Sequence, residues 1–152
     1  MRFACLVVGC LPVLGQASEV SSVTKAPGEK VTLEIRQDSA PGRAPAALKW
    51  EVVFPAQLME MEGDAPEAGR AATESGKTLQ CTKLKPYSYA CILSGGQNPT
   101  ANGVIAIFHF KIRPTAEAGT TAFRIERGVA TAMDSKVSTL NDTEATVIIH
   151  SQ

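Results

Sequence analysis

The chain is poor in aromatic residues, with one Trp, two Tyr and five Phe among 152 residues. A module that grips polysaccharide by stacking needs a row of exposed rings, and Trp50, Tyr87 and Tyr89 are the only Trp and Tyr on offer. Charge of one sign is also lacking. Fifteen basic and fifteen acidic residues cancel to a formal net charge of zero, so composition gives no push toward nucleic acid or an anionic membrane. Catalytic signatures are missing as well: there is no Gly-x-Ser-x-Gly, no His-Glu-x-x-His and no phosphate loop. His109 has no identifiable acid or nucleophile beside it, and His150 is far from it in sequence. An enzymatic reading is therefore unsupported, and no cofactor is implied. No stretch shows an amphipathic helix of three turns.

What the chain does have is alternation. Gly103–Pro114 sets Val104, Ala106, Phe108, Phe110 and Ile112 on one face, with Ile105 and Ile107 on the other before it turns polar at His109, Lys111 and Arg113. That period of two marks a strand, and apolar residues on both faces mark one interior to a sheet. Val31, Leu33 and Ile35 alternate with Thr32, Glu34 and Arg36; Leu48, Trp50, Val52 and Phe54 alternate with Lys49, Glu51 and Val53. Trp50 thus falls on the core side of its strand. Leu58, Met59 and Met61 suggest a short strand after Pro55, and Val129–Met133 and Thr146–His150 suggest two more. The polar, small-residue segment Gly63–Gly76 reads as a loop, with or without one helical turn. Short strands punctuated by Gly and Pro turns predict an all-β sandwich or jelly roll.

The N-terminus predicts export. Met1-Arg2 is followed by a twelve-residue apolar stretch, Phe3 to Leu14, and by small residues at Gly15-Gln16-Ala17. This pattern reads as a signal peptide over residues 1–17, with the mature domain from 18 to 152 and a secreted or periplasmic destination. A first strand at this position and a lipidated Cys10 are the competing readings. Cleavage removes Cys5 and Cys10 and leaves Cys81 and Cys91, which pair in an oxidising compartment. A hairpin about Pro86, built from Thr78–Leu84 and Tyr87–Ser94, sets the two cysteines opposite each other as a staple, with a catalytic redox pair as the weaker alternative. Tyr87 and Tyr89 then share the face of Cys91. Glu60, Glu62, Asp64 and Glu67 form an acidic cluster, either a solvated loop or a weak calcium site. Asn141-Asp142-Thr143 is a glycosylation sequon where the host glycosylates.

The order of elements resembles the cohesin family. The resemblance is carried by Val31-Thr-Leu-Glu-Ile35 after a Pro-Gly turn and by Leu48-Lys-Trp-Glu-Val-Val-Phe-Pro-Ala-Gln-Leu-Met-Glu-Met-Glu-Gly63. It continues through Gly103-Val-Ile-Ala-Ile-Phe-His-Phe-Lys-Ile112 and Ala118-Gly-Thr-Thr-Ala-Phe-Arg-Ile125. Phe54-Pro55 stands where cohesins commonly have Tyr-Asp. The resemblance spans roughly residues 19–150 and implies a nine-stranded jelly-roll sandwich, related in fold to carbohydrate-binding modules. It further implies that one sheet, made of the eighth, third, sixth and fifth strands, binds a dockerin. With Leu48, Trp50, Leu79, Cys81, Cys91, Phe123 and Ile125 inward, that sheet presents Lys49, Glu51, Val53, Gln80, Thr82, Ala90, Ile92, Arg124 and Glu126 outward. Val53 and Ile92 would be an apolar centre in a polar rim; an ordinary solvated sheet face is the equal alternative. His109 falls on the other sheet. The chain carries one such module and no dockerin calcium loop, so a solitary exported cohesin-like protein with a protein or glycan ligand is expected rather than a cellulosome part. A carbohydrate-binding module of polysaccharide degradation and a structural envelope protein are the alternatives.

Overall fold

In the computed structural model, which describes residues 2–8 and 21–151, two β-sheets pack face to face. The strand expected to organise the core does so. Gly103–Ile112 (β9) lies between Lys30–Asp38 (β3) on one side and two short strands, Met59–Met61 (β5) and Glu67–Ala68 (β6), on the other. Arg2–Val8 (β1) pairs antiparallel with the far edge of β3 and completes the five-stranded sheet. Arg2–Val8 is the stretch that opens the expected signal peptide; Cys10 and the expected cleavage site lie outside the described residues.

The seven-stranded sheet runs Ser21–Lys25 (β2), Thr143–Ile149 (β12), Gly119–Ala132 (β10), Pro45–Val53 (β4), Ser88–Ser94 (β8) and Thr78–Lys85 (β7), with Val137–Thr139 (β11) also paired to β10. Its β2–β12 pair is parallel, while the other neighbours run antiparallel. The four-strand order β10-β4-β8-β7 is the one implied for the eighth, third, sixth and fifth strands.

Among the described residues twelve strands form, not nine. β5 is the short strand expected after Pro55; of the others, β1 lies in the stretch read as a signal peptide, and β6 and β11, with two and three residues, are too short to show alternation. Val129–Met133 is not a separate strand. It continues β10 through an irregularity between Glu126 and Val129, where Arg127 takes φ 53°. The polar segment 63–76 carries one helical turn, Arg70–Glu74 (α1). Gly69 precedes it because a Cβ there would strike the Val104 carbonyl, while its own N–H donates to Ile105 O at 2.9 Å. That close approach brings Ala71 and Ala72 into the core.

The core is the space between the sheets. Leu33, Ile35, Phe108, Phe110 and Ile112 come from one; Leu48, Trp50, Cys91, Leu93, Phe123 and Val147 come from the other, all nearly inaccessible. Aromatic contacts cross the gap. Phe110 sits 4.7 Å from Phe123 and 5.1 Å from Phe54, and Phe108 meets Tyr89 edge-on at 6.2 Å. Such pairs add about 0.5–1.5 kcal/mol beyond the area they bury. Ile105 departs from the alternation. The register jumps from Ile35↔Ala106 to Arg36↔Val104, so Ile105 is the extra residue of a bulge and is buried along with its neighbour Ala106.

One end of the sandwich is locked by polar contacts. Gln37 continues the inward row of β3, and its amide nitrogen donates to the carbonyls of Thr100 and Ala101 at 3.1 and 3.2 Å. Asn102 Oδ1 accepts from Ser39 N–H and Ser39 Oγ, and its Nδ2 returns a bond to Ser39 O. Buried backbone needs such partners, and the loop before β9 finds them in side chains.

Candidate partner-binding face

The outer face of β10-β4-β8-β7 is built in rows by the strand register. Lys49 pairs with Ile92, and Ile92 with Gln80; the next row is Glu126, Glu51, Ala90 and Thr82; the next is Arg124, Val53, Ser88 and Lys85. All nine residues expected outward therefore lie on this one face. They are not equally presented. Lys49, Gln80, Thr82, Ile92 and Arg124 are exposed, whereas Glu51, Val53, Ala90 and Glu126 are half-buried.

Val53 and Ile92 do not form one apolar centre. Ile92 faces Lys49, and Val53 lies four residues further along β4, roughly 13 Å at the rise of a strand. Ala90 and Glu51 intervene. Ile92 is the more prominent, at 43% exposure.

The hairpin forms as expected. β7 and β8 are joined by the two-residue turn Pro86-Tyr87, Cys81 stands opposite Cys91, and the two form a disulfide with their Cα atoms 4.1 Å apart. Cys91 is fully buried beside Trp50, its neighbour on β4. Little else holds β7: only Leu79 and Cys81 are half-buried, and the remaining positions are exposed.

The turn also separates the two tyrosines. Tyr89 is buried between Phe54 and Phe108, whereas Tyr87 sits in the turn with Lys85 Nζ 5.7 Å from its ring centre. With Trp50 also buried, Tyr87 is the one exposed aromatic ring among the described residues. A multi-ring sugar platform does not form on this face.

Charges on the face are largely internally paired. Arg124 Nη2 meets Glu126 at 2.6 Å and its Nε lies 3.7 Å from Glu144; Arg127 Nη1 is 3.8 Å from Glu51. Exposed pairs of this kind orient side chains more than they stabilise the fold.

The other sheet carries the remaining candidates. His109 points outward there, with Nε2 3.7 Å from Glu67 and Nδ1 3.4 Å from the Thr32 hydroxyl. Glu62 pairs with Lys30 and Glu60 with Arg113. The acidic cluster is thus spread along the sheet edge against cations. Among the described residues no group of three or more His, Cys, Asp or Glu could hold a metal ion.

No protein-family model and no curated protein matches the chain. Solved structures do. The chain is similar over 99% of its length to a type I cohesin in a cohesin–dockerin complex from Clostridium thermocellum, with a TM-score of 0.75, 12% identity and all of that chain covered. It is similar over 99% of its length to the sixth cohesin of scaffoldin B from Acetivibrio cellulolyticus, solved with a Cel5 dockerin, at a TM-score of 0.73, 14% identity and full coverage. A non-cellulosomal cohesin from the archaeon Archaeoglobus fulgidus matches the whole chain and 94% of its own length, at a TM-score of 0.68 and 12% identity. Two packed sheets, one of them edged by the parallel β2–β12 pair, form a β-sandwich like the jelly roll of these structures. This one has the cohesin fold.

Proposed function

We propose that this chain is a non-catalytic protein-binding module that engages a dockerin-like partner through the outer face of β10-β4-β8-β7. The observation that carries this reading is the match, over nearly the whole chain, to cohesins solved with dockerins bound, together with the four-strand order of that sheet. Lys49, Glu51, Val53, Gln80, Thr82, Ala90, Ile92, Arg124 and Glu126 supply the contacts, with Ile92 as the most exposed apolar anchor. Apolar anchors surrounded by polar residues are the usual anatomy of an interface. The polysaccharide alternative is the weaker one, because a lone Tyr87 gives a single stacking platform.

The protein acts outside the cytoplasm, delivered by a signal peptide over residues 1–17, whose removal takes β1 away and leaves β3 as an edge of its sheet. The Cys81–Cys91 disulfide supports an oxidising destination. Intact mass of the exported protein should correspond to a chain beginning at Ser18; an uncleaved N-terminus would overturn this.

The binding reading is tested by capture from the source organism's secreted proteins. The wild-type chain should retain a dockerin-bearing protein identified by mass spectrometry, and Ile92→Asp combined with Val53→Asp should lose it while keeping the wild-type circular dichroism. Capture indifferent to both substitutions in a folded variant would remove this face from consideration.

A further inference from the structure

We propose that the hairpin end of the docking face holds a site for an apolar side chain flanked by a carboxylate, supplied by an acidic segment of the protein partner. The proposal rests on the docking-face reading and adds the chemistry of the segment that binds. A depression of about 310 Å³ opens there, with Val53, Ser88, Leu84 and Tyr87 in its wall and with three cations, Lys85, Arg124 and Arg127, set against two carboxylates, Glu51 and Glu126.

Two backbone irregularities shape it from opposite sides. On β7 the register shifts between Lys83 and Lys85, leaving Leu84 as the extra residue, 52% exposed at the rim. On β10 the shift between Glu126 and Val129 contains Arg127, a non-glycine residue held at φ 53°. Bulges re-aim side chains, and strained backbone persists where the surroundings over-determine it. Here both irregularities contribute a wall of the same depression. Leu84, the Tyr87 ring and Val53 give it apolar surface, while Ser88 is only 4% exposed.

The electrostatics select the flanking group. Arg124 and Arg127 are each engaged by a carboxylate of this chain, Glu126 and Glu51. Lys85 has no carboxylate partner among the described residues; it lies against the Tyr87 ring. No Asp or Glu occurs from Ser75 to Ala116, so the whole hairpin carries lysines without acids. With the lining carboxylates Glu51 and Glu126 already engaged by the two arginines, an incoming carboxylate finds one un-neutralised ammonium, that of Lys85, beside an apolar wall.

The test uses the full-length, isotope-labelled protein and two small probes, N-acetyl-phenylalanine and N-acetyl-phenylalaninamide, which differ in the carboxylate. Amide resonances of Val53, Ser88 and Arg127 should shift saturably with the acid at millimolar concentration. The neutral amide should bind roughly threefold more weakly, the scale of one exposed charge pair, and Lys85→Gln should abolish that difference while leaving the rest of the spectrum in place. Added salt should also diminish the preference. Equal binding of the two probes, or no saturable shift at the depression, would overturn the proposal. Shifts gathered instead at Lys49, Gln80 and Ile92 would overturn it while leaving the docking face intact, since that face stands or falls by the capture experiment.

Discussion

Replacing both Cys81 and Cys91 with alanine should loosen one strand before it unfolds the domain. The bond closes a loop with a sequence separation of 10. Loop-closure entropy for that length gives about 2.7 kcal/mol of stabilisation, ascribed to restriction of the unfolded chain. For a domain of this size the same figure corresponds to a fall in melting temperature of about 5–10 °C. The structure adds where the loss is felt. β7 is an edge strand with two half-buried side chains, one of which is Cys81 itself. Its backbone bonds to β8 are then held mainly by the staple, and breaking it lets β7 open locally. Amide exchange is the assay. Amides of β7 in the double variant should exchange up to about 100-fold faster than in the wild type, the kinetic equivalent of that free energy. Amides of β4 and β9 report the global fall, so the local opening is read within the variant, where β7 should exchange well ahead of both. Wild-type protection in β7 of the variant would refute the argument, since backbone pairing alone would then suffice to hold the strand. A uniform loss across all strands would refute the local part of it.

Two further outcomes follow from the core and from one buried charge. Phe110→Ala removes a ring that touches Phe54, Phe108 and Phe123; denaturant titration should show a loss of about 3–5 kcal/mol, and a loss below about 1.5 would mean the sheets close over the gap. Lys77 is 7% exposed, with its ammonium donating to Gly95 O at 2.8 Å, and burial lowers its pKa from the ordinary lysine value of 10.5. The unfolded chain therefore binds that proton more tightly than the folded one, so stability rises with pH from the lowered folded value up to 10.5 and is lost as pH falls through that folded value. Lys77→Met should abolish this alkaline rise in a stability–pH series, and an unchanged series would place the ammonium in solvent.

The parts of the fold legible in the sequence were those written in alternation and turns. β9 announces itself through Phe108 and Phe110, and the hairpin through two cysteines evenly placed about Pro86. The parts that were not legible arise where one residue breaks the period. Ile105 is buried out of phase because a bulge absorbs it, and β10 passes through Arg127-Gly128 where the sequence suggests a gap. Gln37 sits at a core position of β3, yet its role depends on Thr100, Ala101 and Asn102, more than sixty residues away. No local pattern carries that. The candidate face shows the same division. Side-chain parity sorted all nine residues to one side, but the separation of Val53 from Ile92 depends on register, and the depression beside Tyr87 depends on bulges. Parity alone sets neither.

The parallel pairing of β2 with β12 has a mechanical consequence. The register runs from Ala145↔Ser21 to Ile149↔Lys25, so Ser21 and Ile149 lie at opposite ends of the paired stretch. Tension applied between those two points pulls the adjacent strands lengthwise in opposite directions. Every backbone bond between them is then loaded together in shear, whereas an antiparallel pair pulled from one end would open bond by bond like a zip. A domain that holds a partner under flow or traction gains its resistance from that arrangement, without requiring a larger core.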